Sequence, residues 1–375
     1  MKILHVYKDY DPVVGGIENH VKGLAEAQAA AGHQVVVLVA NRGWRSLKNR
    51  LNGPEVIRAG RLATISSTPI SFTLPIALAG QSPDITHLHF PFPLGEMSQL
   101  IFGRGRPYLL TYHSDVVNQK QQGILRAYRP FLTRVLDHAG QIVVTSHSYA
   151  DSSPTLSEFK AKCIVVPLGI EPTRFLSAAP KESPTNGPNI LFVGKHRYYK
   201  GVNVLLRAMK VVKGRLLIAG DGPMRDQWEA LASELGLTHR ALFLGEVANE
   251  QLPSLYKSAD LFVLPSTMRA EAFGTVLLEA MAAALPCITT ELGTGTSSVV
   301  KDGLTGLVVQ PNDPAALAEA ISTLTENAGL RLRMGTAGQE RVLKEFAHED
   351  MVKKIENVYR SILNPELAAR KVVHP

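Results

Sequence analysis

The short apolar runs of this chain limit its fold more than any other feature. They span residues 2–6, 34–39, 84–89, 108–112, 141–145 and 162–166, then 189–193, 215–218, 241–244, 261–264, 286–289 and 306–309. Most are Val, Ile and Leu with little alternation of apolar and polar residues. A strand with one wet face alternates, whereas a strand buried on both faces does not. These runs therefore predict parallel strands inside a sheet covered on both sides. Segments of helical periodicity lie between them and supply the covers.

Two successive βα series of this kind predict an α/β protein of two doubly wound, Rossmann-like domains. The length of 375 residues agrees, because a single core seldom grows beyond roughly 250–300 residues. The stretch 169–189 contains Pro172, Pro180, Pro184 and Pro188 with Ser183 and Thr185, and reads as a linker. The first domain is expected over 1–172 and the second over 173–349. A helical pattern within 350–375 is expected to cross back onto the first domain. Ligands of open α/β sheets bind beyond the carboxyl ends of the strands. Two such domains are expected to face each other across a cleft lined by the loops that follow strands.

Composition excludes several classes. The N-terminus runs straight into a strand pattern, with no signal peptide expected. No apolar run approaches the ~20 residues of a membrane span. Cys163 and Cys287 sit in apolar, strand-like contexts and are read as reduced core residues, with a cytoplasmic location expected. The net charge of +7 is uneven, with 18 Lys and Arg against 12 Asp and Glu in residues 1–175. Such a half suits a phosphorylated substrate or an anionic membrane surface. No nucleic-acid module or basic–aromatic interleaving is present, so no nucleic-acid partner is expected. Residues 42–51 mix four cations with Trp44, Leu47 and Leu51. They read as a helix that is either solvated or lies at a membrane interface, which would give peripheral association with an anionic inner-membrane surface.

Chemistry-bearing residues fall in the post-strand loops. Gly15-Gly16 precedes a helix, allows close backbone approach and positive φ, and would place a diphosphate at the helix N-terminus. The absence of a GxGxxG fingerprint argues against NAD or FAD. His113 follows a strand and could hydrogen-bond a sugar hydroxyl or stabilise developing charge. Lys195, Arg197 and Lys200 lie between a strand and the helix expected at 202–209, as a clamp for a diphosphate leaving group. Val247 ends another strand loop, where a flat base could stack. Arg269–Ala282 carries Glu271 and Glu279 on either side of Gly274, which can open a helix. If the whole segment were helical, a rise of ~1.5 Å per residue would separate the two carboxylates by ~12 Å along the axis. That is roughly the reach of a nucleoside diphosphate sugar.

Taken in order, a glycine-rich loop, then His, then Gly-(x)5-Lys-Gly, then Glu-Ala-Phe-Gly-(x)4-Glu resembles the retaining glycosyltransferases of family 4, which have the twin-domain GT-B fold. The resemblance covers nearly the whole chain. Residues 89–93, 111–117, 197–201 and 291–296 are similar to bacterial mannosyl- and rhamnosyltransferases of O-antigen or related cell-surface polysaccharides. Those enzymes typically use GDP-mannose or a related donor. The resemblance implies that Glu271 contacts the donor sugar, Glu279 the ribose, and Lys200 the β-phosphate. It implies further that Gly16 lies against that phosphate and His113 against the sugar. Phe273 and Gly274 would offer backbone amides, with Gly15 and Thr275 also in the donor site and Glu18 toward the acceptor. The family usually has Arg where this chain has Lys195. Lysine lacks the bidentate fork, so the second phosphate-clamping cation is either Lys195 or Arg197.

The implied reaction is transfer of a hexosyl unit from a nucleoside diphosphate sugar to a saccharide, expected to be lipid-linked, with retained configuration. No Asp-x-Asp motif is present, and neither a cofactor nor an obligatory metal is expected. A UDP-sugar transferase and, on the same architecture, a sugar-nucleotide epimerase are the alternatives. A glycosidase would use a carboxylate pair but leaves the lysines and glycine loops without a task. A non-catalytic binding module would not need both glutamates and Lys200.

Overall fold

The computed structural model describes residues 1–13, 15–50, 53–65, 68–115, 122–179 and 187–366. Leu51, Val116, Val117, linker residues 180–186 and the tail from 367 on lie outside the described residues. The chain divides into two compact units, 1–167 joined by the segment from Met351 on, and Leu168–Asp350. Each is a sheet wrapped by helices.

The strands are β1 (Lys2–Val6), β2 (Gln34–Ala40), β3 (Leu47–Arg50), β4 (Glu55–Ala59), β5 (Ala63–Ile65), β6 (Thr68–Ile70), β7 (Ile85–Phe90), β8 (Tyr108–Tyr112), β9 (Gln141–Val144) and β10 (Cys163–Val165) in the first unit. The second unit contributes β11 (Asn189–Val193), β12 (Arg215–Ala219), β13 (Ala241–Gly245), β14 (Leu261–Leu264), β15 (Cys287–Thr290) and β16 (Gly306–Val309). The first sheet runs β10-β9-β8-β7-β1-β2-β4-β3, parallel except for the β3–β4 pair. The second runs β13-β12-β11-β14-β15-β16. Every pair in it is parallel. This is the doubly wound order in which the chain starts in the middle, builds one side, then returns to build the other. Strands β7, β8, β11 and β14 are buried along their whole length, as their unalternating sequences dictate.

The first residues of the helix His348–Leu363 group with the second unit, and the rest belongs to the first and covers a face of its sheet. Met351, Val352, Ile355, Val358 and Tyr359 form one buried stripe with spacing near 3.6. They share a core with Ile3, Leu24, Ile85, Leu109, Val143 and Val166.

Of the segment 42–51, the described residues 42–50 do not form the helix expected of them. Leu47–Arg50 is an exposed edge strand paired antiparallel to β4, with Lys48 bridging to Glu55 at 2.9 Å. Charged residues on an edge strand block pairing with a further chain, and that role produces the same cationic composition as an amphipathic helix. Trp44 remains exposed, with Arg45 over its ring. Of the two cysteines, both free, Cys287 is in the core as expected, but Cys163 on edge strand β10 is only half-buried.

Replacing Ile355 by Ala should leave a cavity under the crossing helix and cost about 2–5 kcal/mol. Urea unfolding followed by circular dichroism checks this through a lowered midpoint at unchanged slope.

Candidate functional site

In the second unit the strand order reverses between β11 and β14, so the loops after these strands leave the sheet side by side. Such a switch point opens a crevice for ligand. The loop after β11 ends in a single 3-10 turn, Tyr198–Lys200, followed by Gly201 in the left-handed region at φ 71°. Only glycine fits there. A Cβ on Gly201 would stand 1.9 Å from the Pro265 carbonyl oxygen in the loop after β14. The two loops are also joined by the Thr267 N–H, which donates to the Tyr199 carbonyl at 2.8 Å.

This junction brings Lys200 and Glu271 together. Lys200 Nζ donates to Glu271 Oε2 at 2.6 Å, and Ser266 Oγ donates to the same oxygen at 3.1 Å. Both side chains are nearly buried, at 12% and 10% exposure, so the pair is little screened by water. Burial is the largest influence on Lys200 and pulls its pKa down. The charge of Glu271, with Tyr199, more than compensates and leaves the pKa above its ordinary value. The ammonium is therefore charged at neutral pH and tethered to Glu271.

Glu271 precedes the helix Thr275–Ala282, whose N-cap is Gly274 at φ 77°. The first N–H groups of such a helix have no partner within it. Phe273 is buried, with its ring against Phe346. Thr275 opens the helix, half-buried. Glu279 lies one turn in, where Tyr256 Oη donates to its carboxylate at 2.8 Å. Burial raises the Glu279 pKa, and the Tyr256 bond and Arg174 hold it back.

The three cations after β11 do not converge. Lys195 and Arg197 are exposed, while His196 between them turns inward onto Trp228 with ring centroids 4.8 Å apart. Val247 packs half-buried against the core after β13. Sequence reasoning missed Ser266 and Tyr256, which hold the two glutamates. Ser266 carried a signal, as a polar residue just past the end of a buried strand.

In the first unit, neither Gly15 nor Gly16 takes the positive φ expected. Gly15 is the extended N-cap of the helix Gly16–Ala30, at φ −176°. A Cβ there would meet the Glu18 carboxylate, the movable end of a flexible side chain. Glu18 lies in the first turn and so matches the positive end of this helix with its own charge. A Cβ on Gly16 would meet nothing within 4 Å, which leaves open space beside that backbone.

His113, just past β8, belongs to a buried group with His5, His87 and His89, and the half-buried His20 lies against it. His5 Nδ1 and His89 Nε2 are 3.1 Å apart, as are His89 Nδ1 and His113 Nε2. Burial lowers the His5 pKa to about 4 against a pull upward from Gln28, and lowers His87, His89 and His113 well below the ordinary value. Among the described residues, His5, His87 and His89, and likewise His20, His89 and His113, bring ring nitrogens within 4.8 Å of one another. These are the groups whose spacing could hold a metal ion.

The family model for glycosyl transferases group 1 matches residues 174–341, and that for Glycosyltransferase Family 4 matches residues 14–174. The chain is 34% identical over 370 residues to O-antigen chain mannosyltransferase C of Escherichia coli, covering 97% of this chain and 99% of that protein. It is 33% identical over 354 residues to D-rhamnosyltransferase WbpZ of Pseudomonas aeruginosa, covering 92% of each. Among solved structures, sucrose-phosphate synthase from Thermosynechococcus elongatus superposes with a TM-score of 0.81 at 25% identity, covering 97% of this chain and 99% of that one. Anabaena Alr3699/HepE in complex with UDP and glucose gives 0.76 at 19% identity, covering 96% and 100%.

The buried imidazoles make stability depend on pH. A histidine whose folded pKa lies below its unfolded value of about 6.5 contributes fully above that value, and the contribution is lost as pH falls toward the folded pKa. Glu96, pushed up to about 7 by burial against the hydrogen bonds from Tyr128 and Phe92, acts in the opposite sense, as does Glu279. With His196 and His348, also lowered by burial, six histidines outweigh two carboxyls. Unfolding free energy should fall between pH 6.5 and 4 by roughly 1.4 kcal/mol per pH unit for each uncompensated proton. Urea titrations at several pH values check the slope.

Proposed function

Because the chain belongs to the glycosyltransferases, with the GT-B pair of Rossmann-like domains, it transfers sugar in polysaccharide or glycolipid synthesis, and we propose that its donor is a GDP-linked mannose or rhamnose. The observation that carries this reading is the Lys200–Glu271 pair at the switch point of the second sheet. The named relatives, a mannosyltransferase and a rhamnosyltransferase, support the choice of sugar. The HepE structures, solved with UDP, favour a UDP-sugar as the second reading of the base.

In this account the donor diphosphate lies over the N-terminus of the helix Thr275–Ala282, and the backbone of Phe273, Gly274 and Thr275 offers it amides. Lys200 reaches the β-phosphate, with Lys195 or Arg197 as the second, exposed cation. Glu271 accepts from the sugar hydroxyls and Glu279 from the ribose, while Val247 lies under the base. Gly15 and Gly16 approach the phosphate from the first unit, where His113 meets the sugar and Glu18 the acceptor. Configuration is retained. The bond from the anomeric carbon to the β-phosphate oxygen breaks as the acceptor oxygen bonds on the same face. The acceptor's proton passes to the departing phosphate. The protein's part is to stabilise charge on that phosphate and to fix geometry. Neutralisation by Lys200 and the helix end makes an obligatory metal unnecessary. The acceptor is a saccharide on a lipid carrier, reached from the cytoplasmic face of the membrane. Among the described residues no helix is long and apolar enough to cross it. The exposed cations and Trp44 around β3 would meet the anionic surface.

Lys200→Ala and Glu271→Gln should each lose roughly 10²–10³ in kcat while staying folded. Transfer of radiolabelled mannose from GDP-mannose measures this, and wild-type turnover in both variants would exclude the site. Glu279→Gln should raise the donor KM about tenfold at nearly unchanged kcat, the loss of one charge-assisted hydrogen bond. Donor incubated without acceptor should show only slow hydrolysis. Conversion to another nucleotide sugar would identify an epimerase instead.

A further inference from the structure

The buried imidazoles of the first unit are joined in a chain whose proton positions follow from one end to the other. Tyr359, on the crossing helix, has its hydroxyl 2.7 Å from His87 Nδ1, and His87 Nε2 lies 2.6 Å from Thr111 Oγ1. A neutral imidazole carries one N–H, so one hydroxyl donates to it and the other accepts. A phenol is a stronger acid than an alcohol, and although burial raises the Tyr359 pKa, it weakens a buried alcohol in the same sense, so the order of the two donors is kept. Tyr359 therefore donates to His87, and His87 Nε2–H donates to Thr111. The only proton on the Tyr359 oxygen is then committed, which makes that oxygen an acceptor for Gln28.

Gln28 is accordingly oriented with its amide nitrogen toward Tyr359, at 3.3 Å, and its carbonyl oxygen toward His5 Nε2, at 2.8 Å. The His5 proton must sit on Nε2, leaving a lone pair on Nδ1. That lone pair accepts from His89 Nε2 at 3.1 Å, and His89 Nδ1 accepts from His113 Nε2 at 3.1 Å. The hydrogen bond at one ring nitrogen sets the state of the other. A reversed Gln28 amide would invert every bond in the chain together. His5, His89 and Gln28 are fully buried, so water offers no alternative partner.

We propose that Tyr359 and Gln28 are positioning residues which, through His5 and His89, lock His113 in the Nε2–H tautomer and present its Nδ1 lone pair to a hydroxyl of the sugar. That hydroxyl rests on the transferase reading above, but the lock does not. An Nδ1 acceptor selects a ligand with a proton to donate, so a donor sugar deoxygenated at the contacted position loses this bond.

Nitrogen-15 spectroscopy of histidine-labelled full-length protein tests the lock, with the His113 signals assigned from His113→Asn. In the wild type, His5, His89 and His113 should each show a protonated Nε2 and a bare Nδ1, unchanged by EDTA or by added zinc. In Gln28→Leu and in Tyr359→Phe, the His113 signals should move toward the average of two tautomers, and the donor KM should rise roughly tenfold. Tyr359→Phe removes one oxygen only, and it decides the matter if Gln28→Leu does not fold. A protonated Nδ1 at His113 in the wild type, or an unchanged His113 tautomer in a folded variant, overturns the proposal. So do signals that shift with zinc, which would make the cluster a metal site. If the signals behave as expected and no nucleotide sugar is turned over, the lock stands and the transferase reading falls.

Discussion

Parallel pairing of β11 with β14 is the constraint on which the second unit depends. Because β12 and β13 lie on one side of β11 and β14 to β16 on the other, the loops after β11 and β14 emerge together with no intervening strand. Gly201 then lets the backbones touch, since any Cβ there would run into the Pro265 carbonyl. Only in that arrangement can Lys200 and Glu271, 71 residues apart in sequence, lie 2.6 Å apart. A nearly buried ion pair is costly to form, since both charges lose water. Here each has an additional partner or influence that eases the cost. Ser266 shares the carboxylate oxygen, and the Tyr199 ring lies 5.7 Å from the ammonium. The pair is thus a charged element fixed beside a helix N-terminus before any ligand arrives.

A different economy rules the first unit. Among the described residues its polar interior holds a run of neutral rings, hydroxyls and an amide joined end to end by hydrogen bonds. His5 and His87 are register partners on β1 and β7, and His87 and His89 share a face of β7. A core built this way is specific rather than forgiving, because removing one member leaves a neighbour unsatisfied in a dry place. It also couples the C-terminal helix, through Tyr359, to the end of β8.

Legibility in the sequence followed burial. The runs at 108–112, 189–193 and 261–264 became strands with the same bounds, because a fully buried parallel strand has no polar face to confuse the pattern. Strands β3 to β6 went unread. Leu47–Arg50 is wholly exposed and Glu55–Ala59 carries charges, so tertiary pairing rather than apolar pattern makes them strands. The family resemblance drew attention to Lys200, Glu271 and Glu279 one by one. Spacing could not show that the first two would be bonded, since that requires the strand order. Nor could residue type reveal that Lys195 and Arg197 would face outward around an inward His196. The histidine chain had a signal in His87-Leu88-His89, two polar rings at period two inside an apolar run, but its partners come from β1, β8 and the last helix.

Calorimetric titration of GDP and UDP into the wild type and Lys200→Met tests most directly whether the Lys200 junction is a nucleoside diphosphate site. The account predicts that one of the two nucleotides binds the wild type and that the variant binds it at least about tenfold more weakly, the loss of one charge-assisted contact to phosphate. Equal affinity in the two proteins, or no heat from either nucleotide with the wild type, would contradict it.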